Sequence, residues 1–453
     1  MSDWKFGIFS SWTDECADWL EQHPSRKAMI IGDAPRELPP QVFYFAAPTL
    51  IHREFALQKA GQLSAFADVQ LFSPELENSF LRSKLHAEMR LSDAADLGIK
   101  RIHHLLMNGR LHLSSLQSIA GAFQGFPAVI VGAGSSLEEL DLLPLKGKAL
   151  IISAGNGLKK SPVEPDLALI TDPHIPLDRS RYPNVSLCIQ GRVHPETLQS
   201  PPKSIFYFPD TSPPLEGWLM GEEILDAGWN GANSAVEVAH LLGCAPIYLA
   251  GVDLCYEEGA EARAPLVEFE GKKTQRDWIL AAEWLREKAE EYKIYQLSQR
   301  GISVAPFTCL PTLDSVLPPI PLGRSIRLRS EKLVEWRDAL ESKSALAQKL
   351  LLDPLWNLWS PLFEREKTNL EIQKKLFWER VVREHLEVLK EEKRTFYLNG
   401  QLKTIERFFG GEREGETLLY WSNGTLKRRV CFHRGVREGR EEFWDDHGEV
   451  CDV

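Results

Sequence analysis

Glycines and small polar residues follow short apolar runs at several points of this chain, an arrangement that can hold a phosphorylated ligand. The first such segment, GAGSSL, starts at Gly132, directly after the apolar run Ala128–Val131. Gly132 and Gly134 permit a tight turn that brings the backbone close to a phosphate. Ser135 and Ser136 can cap a following helix or donate hydrogen bonds to a phosphate or sugar. Taken alone, the segment is equally compatible with a ligand-binding loop and with a simple strand-to-helix turn.

Further polar residues stand at the ends of later predicted strands. Asn156 lies in a polar turn, Asp172 follows the run Leu167–Thr171, and Asp253 follows Pro246–Ala250. An aspartate at the carboxyl end of a strand can bind a divalent cation, accept hydrogen bonds from a ribose or act as a base. Capping of the next loop is the structural alternative. If the two aspartates face one cleft, they are the candidate catalytic pair and the candidate ligands of Mg²⁺.

The start of a predicted amphipathic helix, Ser234–Leu242, is also polar. There the amide groups and the helix N-terminus near Asn233 and Ser234 can bind an anion or a nucleobase. Capping of the helix by either residue is the structural alternative. His174 lies in a loop two residues beyond Asp172 and is the candidate general base.

The elements that position these residues alternate between short apolar runs and segments of helical periodicity. This alternation predicts an α/β fold with a mostly parallel, Rossmann-like central sheet, whose ligands bind at the carboxyl ends of the strands. The central domain is predicted over residues 125–315. Its strands are predicted at Ala128–Val131, Ala149–Ser153, Leu167–Thr171, Val185–Ile189, Ser204–Phe208 and Pro246–Ala250, and its helices after Ser136, at Ser234–Leu242 and at Thr274–Tyr292.

Three other regions flank this domain. Residues 1–124 are predicted to form an N-terminal α/β domain, with strands at Ala28–Ile31, Val42–Phe45 and Ala67–Ser73 and a helix at Leu50–Leu63. Residues 325–394 have the pattern of a helical domain. Residues 395–453 contain a repeat of 24 residues, which places Gly400, Gly424 and Gly448 in register in turns typical of β-hairpins. These repeats are either a docking module for a protein or lipid partner or a passive cap on the helical domain.

Composition excludes several classes of protein. The formal net charge of -11 disfavours a nucleic-acid partner, and no apolar run of the chain has the length of a transmembrane segment. The seven cysteines are scattered and form no C-x-x-C pair, so we expect reduced thiols. The first residues are acidic where a signal peptide would be basic, and we therefore expect the cytoplasm.

The order of the central motifs is recognisable. PAVIVGAGSSLEEL, PDLALITDP and NGANSAVEVAHLLGCAPIYLAGVDLCY resemble the family that joins bacterial Maf (motility accessory factor) glycosyltransferases to MptE-like hydroxymethylpterin diphosphokinases. The resemblance covers residues 125 to 260 and maps the family motifs onto Gly132, Gly134, Ser136, Asp172, Asn233, Ser234 and Asp253. Ser135 stands where members of the family commonly have proline. The C-terminal repeats resemble the MORN variant found in bacterial YwqK-like proteins.

The resemblance implies a nucleotide or nucleotide sugar as the partner. A Maf-like enzyme would transfer a nonulosonic, sialic-acid-like sugar from a CMP-activated donor to a protein hydroxyl, with His174 as base. An MptE-like enzyme would instead transfer diphosphate from ATP to a hydroxymethylpterin, with Mg²⁺ held by Asp172 and Asp253. No cofactor other than Mg²⁺ is implied. A degenerate transferase domain that serves as a scaffold, with a partner bound to the repeats, is the third hypothesis.

Overall fold

The structure is a computed structural model that describes residues 5–22, 26–33, 38–39, 41–45, 57, 60, 68–73, 100–209, 215–226, 228–257, 266–352 and 369–451. The predicted helix Leu50–Leu63 falls outside these residues, apart from Leu57 and Ala60. None of the helices in the described part of the chain is long and apolar enough to cross a membrane.

The N-terminal residues form a parallel four-stranded sheet with the order β3-β2-β1-β4. Three of its strands lie where the sequence predicts them. The sequence did not predict β1, one of the two inner strands. Between β1 and β2, Thr13 caps helix α1 by accepting a hydrogen bond from the Cys16 amide at 3.3 Å. The elements are β1 (Lys5–Ser11), α1 (Asp14–Glu21), β2 (Lys27–Asp33), β3 (Val42–Phe45) and β4 (Asp68–Leu71).

A nine-stranded sheet forms the centre of the molecule, with the order β14-β11-β6-β7-β8-β9-β10-β5-β15. All neighbours are parallel except β15, which runs antiparallel to β5. The prediction of a mostly parallel α/β sheet is confirmed, and all six predicted strands are present. The strands are β5 (Leu113–Ser115), β6 (Ala128–Val131), β7 (Leu150–Ala154), β8 (Leu167–Ile170), β9 (Ser186–Ile189), β10 (Ile205–Tyr207), β11 (Ile247–Ala250), β14 (Ile294–Gln296) and β15 (Ser325–Ile326).

Helices cover both faces of this sheet, which is why its strands read as continuous apolar runs. On one face, α4 and α5 bury their apolar sides against β6, β7, β8 and β11. On the other face, the helical residues 100–108 and helices α3, α6 and α8 pack on β8, β9 and β10. The helices are α2 (Gly157–Lys160), α3 (Leu215–Met220), α4 (Gly231–Leu241), α5 (Arg276–Lys288), α6 (Ser330–Glu341), α7 (Ala345–Ala347), which continues into a π turn over Gln348–Leu352, and α8 (Leu370–Val388).

Two predictions of helix are wrong. The segment after Ser136 forms only a 3₁₀ turn, Ser135–Glu139, because Leu140 is extended and lets Leu142 turn back into the core beside Leu137. In the range 325–394, both ends are strands rather than helix. β15 extends the central sheet, and the residues from Lys390 onward start the C-terminal sheet.

The C-terminal sheet is antiparallel throughout and follows the predicted 24-residue repeat. Its strands are β16 (Lys390–Phe396), β17 (Leu402–Phe409), β18 (Glu412–Arg413), β19 (Gly415–Tyr420), β20 (Leu426–His433), β21 (Val436–Trp444) and β22 (Val450–Cys451). A separate short hairpin, β12 (Val267–Phe269) with β13 (Lys272–Thr274), lies before α5 in the central region. Gly400, Gly424 and Gly448 adopt positive φ angles of 83°, 91° and 90° in equivalent turns.

Hydrogen bonds join each turn to the next with a separation of 23 residues. The Tyr397 hydroxyl donates to the Tyr420 carbonyl at 2.8 Å, and 24 residues later the Trp421 Nε1 donates to the Trp444 carbonyl at 3.0 Å. Asn399 and Asn423 likewise donate from Nδ2 to the carbonyls of Ser422 and Asp446, at 2.9 and 2.7 Å. Because these bonds recur with the repeat, they stack the turns at one edge of the sheet.

A buried arginine fastens this sheet to the helices. The side chain of Arg337 on α6 is 2% exposed and donates from Nη1 to the Glu412 carboxylate at 2.8 Å and to the Phe409 carbonyl at 3.3 Å. The absence of a side chain at Gly410 leaves room for it, since a Cβ there would lie 2.9 Å from the Arg337 Cβ. One guanidinium group therefore bonds to both the main chain and a side chain of the first repeat.

Replacement of Arg337 by methionine is expected to lower the free energy of unfolding by about 2 kcal/mol, because it removes the buried guanidinium that donates to the Phe409 carbonyl and to the Glu412 carboxylate. Urea denaturation measures the loss. Arg380→Met is the matched control, since Arg380 pairs with Glu384 on the exposed side of α8 and its loss should cost about 0.5 kcal/mol or less. Equal losses for the two variants would contradict a fastening role for Arg337.

His385 makes the helical layer sensitive to acid. Burial lowers the pKa of His385 to about 4, and no group among the described residues forms a hydrogen bond with its Nε2, which lies near Trp336. As the pH falls from 6.5 towards 4, the unfolded chain takes up a proton that the folded chain excludes, which destabilises the fold by about 3 kcal/mol. In urea denaturation, the wild type should lose more stability between pH 7.5 and pH 5 than His385→Leu does. A parallel pH dependence of both proteins would refute this origin.

Candidate functional site

The chain reverses its direction across the central sheet between β6 and β11. From β6 it moves through β7, β8, β9 and β10 to one side, and it later returns to place β11 on the other side of β6. In open α/β sheets, ligands bind beyond the carboxyl ends of the strands at such a switch point. The loops after β6, β7, β8 and β11 and the N-terminus of α4 meet at this edge.

The loops after β6 and β11 lie in direct backbone contact. The Gly132 amide donates to the Ala250 carbonyl and the Gly134 amide to the Gly251 carbonyl, both at 2.8 Å. A Cβ on Gly132 would lie 2.2 Å from the Gly251 oxygen, and a Cβ on Gly134 would lie 2.4 Å from Oδ2 of Asp253. Both glycines are therefore needed for the close approach of one loop to the other.

Asp253 holds the first loop in place through Ser136. Its Oδ2 accepts a hydrogen bond from the Ser136 amide at 3.0 Å, and its Oδ1 accepts one from the Ser136 hydroxyl. Asp253 is 5% exposed and Ser136 is fully buried. The carboxylate is thus engaged inside the fold, while Ser135, the neighbouring hydroxyl, is half-buried at the surface of the turn.

The turn after β7 and the start of α4 lie side by side. Asn156 is exposed at the first position before α2, and its side chain makes no capping bond. An added Cβ on Gly231, the first residue of α4, would lie 3.9 Å from the Gly155 amide nitrogen. The N-terminus of an 11-residue helix therefore lies beside the carboxyl end of β7, where the positive end of the helix dipole favours an anion.

Asn230, rather than Asn233 or Ser234, caps this helix. Its side chain accepts from the amides of Ala232 at 2.9 Å and of Asn233 at 3.0 Å. Asn233 is fully buried, where its Oδ1 accepts from the Trp229 amide and its Nδ2 donates to the Ala281 carbonyl. The Ser234 hydroxyl donates to the Asn230 carbonyl at 3.2 Å. The side chains of Asn233 and Ser234 thus support the helix start from within.

Asp172 and His174 form an exposed turn after β8. Oδ1 of Asp172 accepts from the His174 amide at 2.8 Å and from the Ile175 amide at 3.3 Å. The Asp172 carbonyl accepts from the His194 amide at 3.1 Å, so the loop after β9 lies against this turn. One carboxylate and two imidazoles are therefore brought to one part of the edge.

Three buried residues that the sequence analysis missed hold the loop after β9. Asn108 donates to the carbonyls of Gly191 and Val193, Nδ1 of His104 bonds to the Arg192 carbonyl, and the Glu216 carboxylate accepts from the Gly191 amide at 2.7 Å. Burial and neighbouring positive groups lower the pKa of His104, against a raising effect of its bond to Arg192. The spacing of His104 and Asn108 by four residues on an otherwise apolar helix face is the signal that could have revealed them.

The His194 ring lies 5.4 Å from the His104 ring in an edge-to-face arrangement. Nδ1 of His194 accepts a hydrogen bond from the Glu196 amide at 3.3 Å, which leaves Nε2 to carry the proton of the neutral ring. His194 can therefore donate a hydrogen bond from Nε2 beside Asp172.

The structure does not bring Asp172 and Asp253 together. Their strands, β8 and β11, are separated by β7 and β6, and three strand spacings amount to about 14 Å. Oxygen ligands of Mg²⁺ lie about 2.1 Å from the ion. The two carboxylates cannot therefore coordinate one ion while Asp253 holds Ser136.

These elements define a doubly wound α/β domain with a helix N-terminus at its carboxyl edge. Residues 103–259 match the sequence family described as 6-hydroxymethylpterin diphosphokinase MptE-like, so this part of the chain is similar to that family. The predicted family of the central region is thereby confirmed, and the match supports a transferase-type function. The assignment of the C-terminal repeats to the MORN family stays a prediction.

No curated protein matches the chain. A solved structure that matches it is the MAf glycosyltransferase from Magnetospirillum magneticum AMB-1. The identity is 15% over 84% of this chain and 77% of that chain, with a TM-score of 0.48.

Asp253→Ala is expected to lower the free energy of unfolding by about 3 kcal/mol, since it leaves the buried amide and hydroxyl of Ser136 without an acceptor. Asp172→Ala, at an exposed turn, should lower it by about 1 kcal/mol or less. Urea denaturation with and without Mg²⁺ measures both. If Mg²⁺ stabilised the wild type and Asp253→Ala abolished that effect, Asp253 would be a metal ligand and its structural assignment would fall.

Proposed function

We propose that this chain is a nucleotide-dependent transferase of the Maf-like type. It would move a nonulosonic sugar from a CMP-activated donor to a protein hydroxyl. The observation that supports this most is the position of the α4 N-terminus beside the carboxyl end of β7, next to the glycine turn after β6. Asn230 takes up the amides of Ala232 and Asn233, so the helix dipole and the Gly231 amide would attract the phosphate of a nucleotide without a metal ion.

The proposed roles follow from which side chains at this edge are exposed and which are buried. The phosphate would bind between the turn that holds Ser135 and the start of α4, near Asn156. Asn233 and Ser234 would act on the nucleotide through the helix that they support, and Gly132, Gly134 and Ser136 through the shape of the first loop. Asp172 is exposed at the same edge and could orient the acceptor hydroxyl or stabilise positive charge on the sugar.

The chemistry would consist of positioning and charge stabilisation. The acceptor oxygen forms a bond to the anomeric carbon while the bond from that carbon to the CMP phosphate oxygen breaks. His174, exposed two residues from Asp172, would take the hydroxyl proton, and the charge that develops on CMP would face the α4 N-terminus. The buried Asp253 would contribute through Ser136 and not as a base.

The second candidate is an MptE-like diphosphokinase that uses ATP and Mg²⁺. The family match to residues 103–259 favours it. The distance between the strands of Asp172 and Asp253 speaks against a Mg²⁺ site built from both, so this hypothesis needs Asp172 alone with oxygens of the phosphates. A scaffold without catalysis is the third candidate.

We expect CMP to bind the purified chain in calorimetry without Mg²⁺, and more tightly than ATP. Asp172→Asn should keep this binding and reduce the release of CMP from a CMP-activated nonulosonic acid by about 100-fold, the typical contribution of one acid–base or charge-stabilising group. Asp178→Asn is the matched control, because Asp178 is an exposed aspartate whose Oδ1 also accepts an amide two residues on.

The other outcomes decide between the candidates. A preference for ATP that depends on Mg²⁺ would favour the diphosphokinase. Absence of binding by both nucleotides would favour the scaffold. Equal effects of the Asp172 and Asp178 variants would remove Asp172 from the reaction.

A further inference from the structure

The C-terminal sheet contains two strands that are equivalent in the repeat but differ in their outer neighbours. The segment Glu412–Tyr420, formed by β18 and β19, corresponds to β21, 24 residues later. Gly415 and Gly439 occupy the same position in the two strands, with φ angles of 80° and 78°. Since the backbone is alike, the outer edge of one strand indicates what the outer edge of the other can bind.

The outer edge of β19 is filled by β20. Four consecutive pairs join them in regular antiparallel register: Gly415 with Phe432, Glu416 with Cys431, Thr417 with Val430, and Leu418 with Arg429. On its inner side, the segment of β18 and β19 is bulged against β17. Between the pairs Phe408–Arg413 and Ile405–Leu418, this segment has four residues and β17 has only two. The bulge therefore does not prevent regular pairing on the outer side.

Among the residues that the structure describes, the outer edge of β21 is largely unpaired. Strand β22 pairs only with Phe443 and Trp444, and no strand in the described part of the chain pairs with the outer side of Gly439–Glu442. The inner side of β21 is bulged against β20 just before Glu442, as in the earlier repeat. We call this open edge, Gly439–Glu442, the terminal slot.

Charges on one face of the sheet lead up to the terminal slot. Arg407 pairs with Glu392 at 3.1 Å and reaches Glu416 at 3.9 Å; Arg429 reaches Glu416 at 3.7 Å and pairs with Glu442 at 3.1 Å. Positive and negative side chains thus alternate across β16, β17, β19, β20 and β21. The series ends at Glu442, whose outer side faces the slot.

Arg440 lies on the same face as Glu442, two residues before it. It is exposed, and the structure records no ion pair for it within the described residues. A strand in the terminal slot would meet a negative group at Glu442, then a positive group at Arg440. At Gly439 it would meet open space, since no atom of the described residues lies within 4 Å of an added Cβ.

We propose that the terminal slot binds an extended segment of a partner protein, which adds an antiparallel strand to the sheet. From its N-terminus, the segment would carry a basic, an apolar, an acidic and an aromatic residue. The basic residue would lie opposite Glu442 and the acidic one opposite Arg440. The aromatic residue would lie opposite Gly439, as Phe432 lies opposite Gly415 in the filled edge. Main-chain hydrogen bonds would supply affinity and the four side chains the selectivity.

The inference depends on the C-terminal sheet and not on the proposed transferase activity. The alternative is that the charges on β21 only keep this edge from pairing, as charged edge strands often do. A strand from a second copy of the chain is another possible occupant. Each alternative predicts a different result in the following experiment.

The test uses the full chain and two labelled peptides in fluorescence polarisation. One has the core Arg-Val-Glu-Phe between Thr-Ser flanks, and the other has the charge-swapped core Glu-Val-Arg-Phe. We expect the first peptide to bind about tenfold more tightly, because two facing pairs change from attractive to repulsive. The double variant Arg440→Glu with Glu442→Arg should invert this preference. Glu449→Arg, in the exposed turn before β22, should leave it unchanged, and thermal melts confirm that each variant is folded.

Several results would overturn the proposal. Absence of binding by both peptides, or equal binding by both, would mean that the charges only protect the edge. Binding that appears only in a variant ending at Cys451 would mean that residues 452 and 453 already occupy the slot. A dimer in light scattering that Arg440→Glu dissociates would identify a second copy of the chain as the occupant instead.

Discussion

The architecture of the candidate site depends on the contact between two loops, those that follow β6 and β11. Their backbones pack more closely than any side chain would allow, which is why glycines stand at 132, 134 and 251, and the Asp253 carboxylate closes the contact by bonding to Ser136. Because this contact fills the space at the switch point itself, the open part of the edge is displaced towards β7 and β8. The exposed polar groups, Asn156 and Asp172, lie there.

This displacement separates two kinds of chemistry. Towards β7, the start of α4 presents the positive end of its dipole, which suits an anion. Towards β8 and β9, a carboxylate and two imidazoles meet on loops held from beneath by His104, Asn108 and Glu216. An edge with a helix N-terminus at one end and exposed titratable groups at the other suits the proposed transfer by positioning and charge stabilisation.

The C-terminal sheet is organised by different forces. It has few buried apolar side chains, among them Ile405 and Val430, and its register is set by turns that repeat every 24 residues, by hydrogen bonds between those turns and by alternating charges across the strands. Arg337 connects it to the helical layer, and that layer in turn covers one face of the central sheet. The repeats are therefore attached to the central domain through the helical layer, and the described residues leave part of the outer edge of β21 unpaired.

The sequence by itself determined the elements that local patterns encode: the buried strands of the parallel sheet, the polar residues at their carboxyl ends, and the glycine turns of the repeat. These patterns involve residues that are close together in the chain, so they can be recognised without knowledge of the fold. Only the tertiary structure decided which polar side chains are available. Asp172 and Asp253 look alike in sequence, each after an apolar strand, yet one is exposed and the other is buried against Ser136, because strand order and not chain order determines what each faces. Tertiary contacts also decided the roles of Asn233 and Glu216 and the places of β1, β5, β14 and β15. Their partners lie far away in the chain and leave no local pattern.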